Sequence, residues 1–249
     1  MVAKHGRARC FRNLFDYRCP LMKRVPLITS FLCLVLCLLP PSIEGQIGFF
    51  KRSGTDAIIR KAKRYNLVAV KDAVPGAFVD LRYTITSASG KPLYLPEMPC
   101  LVHRSTAEKL AKVNKALREE GYALVIWDAW RPPEAHIALW NAVKDPKFVV
   151  PPNKGLSWHC YGISVDLTLA TLDGKPVPMP SDFDEFSPRA SSNYSGSHID
   201  IKRRVDLIQK LMREAGFRTI QSEWWHFDDM NARGGIRNVT AKDLGIPMP

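Results

Sequence analysis

Ser157-Trp158-His159-Cys160-Tyr161-Gly162-Ile163-Ser164-Val165-Asp166-Leu167 and, farther along, Glu223-Trp224-Trp225-His226 are the stretches on which the reading of this chain turns. Together they hold two histidines, an aspartate and a spare glutamate. That is the inventory of a catalytic zinc site: three protein ligands, a fourth position for water, and a carboxylate to take the water's proton. His159 and Asp166 are seven residues apart, Glu223 and His226 three. Odd separations put side chains on opposite faces of a regular strand. Each pair therefore needs a bend, a bulge or a loop, and Gly162 offers one within the first pair. The helical His-Glu-x-x-His pattern of other zinc peptidases occurs nowhere in the chain.

Two neutral imidazoles and one carboxylate suit zinc, whose bound water has its pKa lowered toward ~7. Glu223, close in sequence to His226, is placed to accept that water's proton and pass it to a leaving amine. Arg131, in Trp127-Asp128-Ala129-Trp130-Arg131-Pro132, lies just past a predicted strand end, where a fixed guanidinium could meet an oxyanion. Singly, each residue has a plainer reading. Asp166 could cap a turn, and Arg131 could pair with Asp128 as scaffold. Trp224 and Trp225 read as core, and His103, His136 and His198 as satisfied core or surface residues. The joint pattern reverses those odds.

Around these residues the chain reads as one domain. From Leu67 onward there is no repeat, low-complexity stretch or long polar break. Phe78 to Tyr83 reads as a strand entering the Ser87-to-Pro92 turn. A helix starts near Ser105-Thr106, with Glu108 as a capping-box partner. Leu110, Val113 and Leu117 form its apolar stripe, and Gly121 stops it. Tyr122 to Trp127 reads as a buried strand, and Pro132-Pro133 open a helix to about Val143. Gly162 to Leu169 is another strand, closed by a turn at Asp173-Gly174-Lys175. Ile201, Val205, Ile208 and Met212 recur at helical spacing in a helix over about 200–215, and Phe217 to Phe227 forms a final strand or hairpin. Strands and helices without strict alternation predict an α+β fold, a small antiparallel sheet flanked by helices.

The formal charge of +12 suggests nucleic-acid binding until it is mapped. Residues 1–45 hold seven basic against two acidic residues, and residues 46–65 six against one, which leaves +2 for residues 66–249. Lys202-Arg203-Arg204 reads as a solvated helix face. No nucleic-acid partner is expected. Within residues 1–45, Met22-Lys23-Arg24 precedes the 13 uncharged residues Leu27 to Leu39, and Pro40-Pro41-Ser42 follows. This describes a secretory signal peptide, with Met22 as an alternative start. As helix the apolar run spans about 20 Å against roughly 30 Å of bilayer core, so a stable membrane span is not expected and export is. Residues 46–65 read as a linker or first surface helix. Only Cys100 and Cys160 lie beyond the leader, either as two buried thiols or as one disulfide.

At the quoted residues the sequence resembles the VanX-type D-alanyl-D-alanine dipeptidases, zinc peptidases that share a fold with the hedgehog signalling domain. The likeness runs from about Asp80 to Asp228. It takes in Arg82-Tyr83, Gly90-Lys91-Pro92, Trp127-Asp128-x-x-Arg131-Pro132, Asp166-Leu167-Thr168-Leu169 and Met179-x-x-x-Phe183-Asp184. It implies one zinc ion on the sheet, held by His159, Asp166 and His226, with Glu223 as base and Arg131 steadying the transition state. By the same resemblance Ser157 would help hold the substrate carboxylate, while Tyr83 and Asp184 would receive its ammonium group. A buried carboxylate matched to an ammonium selects a free N-terminus. Cys160-Tyr161 and Pro180 depart from residues frequent in the family and are expected to border the pocket. The implied protein is an exported, periplasmic or secreted dipeptidase of cell-wall peptides, acting on a small dipeptide substrate. The alternatives are a D,D-carboxypeptidase or endopeptidase acting on longer peptidoglycan stems, and a non-catalytic zinc-bearing binding domain.

Overall fold

The computed structural model describes residues 54–185 and 187–248. The signal-peptide reading of residues 1–45 and the beginning of the basic segment lie outside them. Residues 54–62 form helix α1, which buries Ile59 and Ala62, and a 3-10 turn, Lys63–Tyr65, follows. Then come β1 (Leu67–Ala69), α2 (Val70–Ala73), β2 (Phe78–Val79), β3 (Leu101–His103) and α3 (Arg104–Glu119). The second half holds β4 (Tyr122–Asp128), α4 (Pro133–Val143), β5 (Ser164–Thr171), α5 (Ile199–Glu214), β6 (Arg218–Thr219), β7 (His226–Asp228) and α6 (Ala241–Leu244). Among the described residues no helix is long and apolar enough to cross a membrane.

The main sheet has five strands in the order β2-β4-β5-β7-β6, and β1 pairs with β3 in a separate antiparallel ribbon. The class is mixed α and β, as the irregular order of strands and helices predicts, but the sheet is not wholly antiparallel. β2 runs parallel to β4, because the long segment through β3 and α3 separates them and carries the chain back to the same end of the sheet. The expected strand over Phe78 to Tyr83 is also shorter. After Val79 and one further bond from Asp80 N to Ile126 O, the chain leaves the edge and turns through a 3-10 segment, Arg82–Thr84. That turn buries Tyr83.

One sheet face is apolar. Leu124, Ile126, Val165, Leu167, Leu169 and Phe227 pack with Leu110, Val113 and Leu117 of α3 and with Ile208 and Met212 of α5. These side chains recur every second residue on strands and every third or fourth on helices, as burial against one core requires. Asn114 ties α3 to the sheet: its amide donates to Pro75 O (2.8 Å) and accepts from Leu124 N (2.8 Å). The α3 boundary differs from the expected capping box. β3 runs directly into the helix, and its N-cap, His103, makes no side-chain cap. Ser105 already lies inside the helix, its hydroxyl 3.0 Å from His103 Nδ1 and accepting from Arg233 N.

The opposite face carries Val125, Thr168, Asp166 and His226, and a β-bulge sets its composition. β4 pairs Val125 with Thr168 and Ile126 with Leu167, and then Asp128, not Trp127, lies opposite Asp166. The extra residue puts Trp127 and Asp128 on one side of the sheet. Trp127 joins Trp224, Trp225 and Ala190 in a small aromatic cluster, with its ring 5.6 Å from those of Trp224 and Phe183. Asp128 is delivered beside Asp166. Trp224 and Trp225 are fully buried.

Candidate active site

His159 sits on a 3-10 turn, Trp158–Tyr161, that leads into β5. Ser157 opens this turn, its hydroxyl accepting from His159 N, and Gly162 closes it at φ 68°. Only glycine adopts that conformation cheaply. A Cβ there would also stand 2.5 Å from Leu67 Cδ2 and 3.1 Å from His103 N. The turn reverses the chain, so His159 faces the side to which Asp166 points. At the other end of the site Glu223 lies in a turn before β7, with His226 N donating to Glu223 O (3.3 Å). Asp166 and His226 are direct cross-strand partners. Both odd spacings are thus resolved by turns outside the strands.

The three ligand candidates converge. His159 Nε2 is 3.3 Å from His226 Nδ1 and 3.4 Å from Asp166 Oδ1, and His226 Nδ1 is 2.9 Å from Asp166 Oδ1. His159 Nδ1 lies 2.7 Å from the carbonyl of Ala129, which can only accept, so it carries the hydrogen and Nε2 presents a lone pair. His226 Nε2 likewise donates to Asp228 Oδ1 (2.9 Å), leaving Nδ1 bare when the ring is neutral. Two lone pairs and a carboxylate oxygen therefore face one point. Donors about 2.0–2.1 Å from a tetrahedral ion lie roughly 3.3–3.4 Å apart, so the set fits a metal ion.

The carboxylates and imidazoles of this set also perturb one another's proton affinities. Burial alone would lower the His226 pKa, but hydrogen bonds to Asp166 and Asp228 outweigh it and hold it well above the imidazole range. Asp166 shows the converse: burial would raise its pKa, and the two histidines hold it well below the carboxylate range. Asp228 is orienting machinery that sequence reading did not single out, and it also accepts from Ser164 and from Arg218 (2.7 Å). Its signal was the strand period, since residues 226 and 228 of one strand share a face.

Glu223 is almost fully buried, with Oε2 3.9 Å from His226 Nδ1. Burial, with Asp166 and Asp184 and against the pull of His226, pushes its pKa up to about 8. Arg131 is fixed from two sides. Nε and Nη2 donate to Asp128 Oδ2 (2.9 and 2.7 Å), and the guanidinium carbon stands 5.1 Å from the Tyr83 ring centre. Nη2 is 3.6 Å from Asp166 Oδ2. The pairing of Arg131 with Asp128 does not exclude a role in the site, because it aims the guanidinium at the ligand cluster. Tyr94 also donates to Asp128 (2.7 Å), a contact with no sequence signal.

Tyr83 donates to Asp184 Oδ2 (2.9 Å). Asp184 has φ 55°, the left-handed region that side chains seldom occupy and that clusters at functional sites. Its burial pushes the carboxyl pKa up to about 7. Ser157, Tyr83, Asp184, Arg131, Glu223 and the three ligand candidates all line one cavity of about 220 Å³. That is smaller than the ~300–1,000 Å³ of sites for drug-sized ligands.

Three expectations are corrected. Cys160, Tyr161 and Pro180 are not among the residues lining this cavity. Cys160 is turned inward and fully buried, Tyr161 packs its ring 5.6 Å from Trp158, and Pro180 is buried with its carbonyl accepting from Arg189. Nor is His136 a satisfied core residue, since among the described residues neither ring nitrogen meets a partner with hydrogen-bond geometry. His103 is satisfied, with Gly234 O 3.0 Å from Nε2, and His198 is exposed. Cys100 and Cys160 are both buried free thiols.

Residues 63–242 match the family model described as D-ala-D-ala dipeptidase. A D-alanyl-D-alanine dipeptidase of Escherichia coli (strain K12) is 34% identical over 163 residues, covering 65% of this chain and 83% of the relative. One from Enterococcus faecium is 32% identical over 179 residues, covering 63% of this chain and 87% of the relative. The match spans every element that carries the site, from the Tyr83 turn to β7, and the chain belongs to the D-ala-D-ala dipeptidase family of peptidases.

Proposed function

We propose that this chain is a zinc dipeptidase that hydrolyses D-alanyl-D-alanine, or a closely related cell-wall dipeptide, to free amino acids. The observation that carries the reading is the one small cavity lined together by a metal-ligand triad, the buried Glu223, Arg131, Asp184 and Ser157. His159, Asp166 and His226 would hold one zinc ion. Bound there, zinc would polarise the scissile carbonyl and lower the pKa of a water toward ~7.

The protein's own groups do the rest. Glu223 takes a proton from the attacking water and delivers it to the amine nitrogen as the C–N bond breaks; burial raises the proton affinity of its carboxylate, which favours the first transfer. Arg131, held by Asp128 and Tyr83, presents fixed positive charge where the carbonyl oxygen becomes anionic. Tyr83 and Asp184 receive the substrate ammonium, and Ser157 hydrogen-bonds toward its carboxylate. A cavity of about 220 Å³ closed by a buried acid at the N-terminal end favours a free dipeptide over a longer stem. The leader composition of residues 1–45 supports an exported enzyme that recovers dipeptide outside the cytoplasm.

Turnover of free D-alanyl-D-alanine compared with an N-acetylated stem peptide ending in the same pair tests the assignment. The free dipeptide should be cleaved and the blocked peptide left intact. Cleavage of both would move the reading to a carboxypeptidase and remove the ammonium role of Asp184.

A further inference from the structure

His136 lies on the first turn and a half of α4, five residues after Arg131, and its ring is completely shielded from bulk solvent. Burial, then the charge of Arg131, hold its pKa down to about 4, so the ring is neutral under physiological conditions. A neutral imidazole has one N–H to donate and one lone pair to offer. The backbone of Val150 lies near the ring, yet among the described residues neither nitrogen finds a partner with hydrogen-bond geometry. Leaving such a group unsatisfied in a folded interior is unfavourable, and native proteins rarely do it without a reason.

The ring also lines the active cavity, to which α4 and the 146–158 segment contribute Leu139, Phe148 and Ser157 as well. Asp184 supplies the acidic end of the cavity, whereas these two segments contribute Ser157, His136 and the ammonium of Lys147 and no carboxylate. A zwitterionic dipeptide needs such a complement.

We infer that His136 is a positioning residue that donates a hydrogen bond to the terminal carboxylate of the bound dipeptide, alongside Ser157. The inference rests on the dipeptidase reading above and names a determinant of its selectivity. A charge-assisted bond of this kind separates a terminal carboxylate from a terminal amide by roughly 10- to 100-fold in affinity.

The test uses zinc-loaded protein carrying Glu223→Gln, so that ligands bind without being cleaved. Titration calorimetry compares D-alanyl-D-alanine with its C-terminal amide, with His136 present, with His136→Leu and with His136→Gln. The protein with His136 should bind the acid at least about 10-fold more tightly than the amide. His136→Leu should lose that preference by weakening acid binding alone, and His136→Gln, which keeps an N–H donor, should restore most of it. Because the ring gives up no protein hydrogen bond, the melting temperature of ligand-free His136→Leu should hold or rise. Equal weakening of acid and amide, or a lower melting temperature with selectivity intact, would mark His136 as structural and overturn the inference. D-alanine release by the enzyme with native Glu223 is measured in parallel. No release would sink the dipeptidase reading itself, whereas release with unchanged acid-to-amide preference would sink only the role of His136.

Discussion

Asp228 offers the sharpest test of how the triad is built. Its carboxylate accepts from His226 Nε2 at 2.9 Å, from Ser164 Oγ and from Arg218 at 2.7 Å. The Arg218 side chain is 55% exposed, so that pair is screened and worth at most about 1 kcal/mol. The buried bond to His226 is the one that matters. It keeps the proton on Nε2 and turns Nδ1 toward Asp166 and His159. Removing such an orienting partner typically weakens metal binding 10- to 100-fold, roughly 1.4–2.8 kcal/mol. Asp228→Ala should therefore bind zinc about 10- to 100-fold more weakly in competition with a chromophoric chelator near neutral pH. Asp228→Asn, which keeps an acceptor oxygen, should lose less. Both variants should recover much of their activity when zinc is in excess. The pH dependence has a definite sign. His226 is held protonated in the metal-free site well above the usual imidazole range, so zinc must displace a proton and its affinity falls as pH falls. Wild-type affinity in Asp228→Ala would refute the claim that this carboxylate orients a ligand.

Three further outcomes are expected. Glu223→Gln should bind zinc at wild-type stoichiometry while kcat drops about 10²- to 10⁴-fold, and a variant with near-normal kcat would remove Glu223 as the proton carrier. Because burial pushes Asp184 up to about 7, its carboxyl is protonated below that pH and cannot pair with an ammonium; KM for the dipeptide should rise as pH falls through 7, and Asp184→Asn should have a high KM that no longer varies there. Gly162→Ala forces a side chain into φ 68° and against Leu67, so it should cost at least about 1–2 kcal/mol, lower the melting temperature by roughly 2–8 °C and weaken zinc binding by displacing His159, all measurable by thermal melts and chelator competition.

The elements with strong period were legible in the sequence. α3, α5 and β4 lie within a residue or two of their expected bounds because apolar spacing follows burial directly. α4 opens at Pro133, where a fixed φ and a missing N–H suit a first turn. Gly162, flagged as a bend, is the turn that reconciles His159 with Asp166. What escaped depends on tertiary partners. The bulge at Trp127 has no local signal, since it exists only against the register of β5. β2 ended early because Tyr83 is recruited to the site, which no periodicity records. Tyr94 reaches the site from a loop, and Ser105 was read as a cap because nothing local shows β3 running straight into a helix. His136 was misread because an isolated histidine on a helix says nothing about whether its nitrogens find partners.

The most direct measurement is D-alanine release from D-alanyl-D-alanine before metal removal, after it, and after zinc is restored. If His159, Asp166 and His226 form the working metal centre, release should stop on chelation and return on adding one equivalent of zinc per chain. Undiminished release from fully metal-free protein, or no release after zinc is restored, would contradict the account.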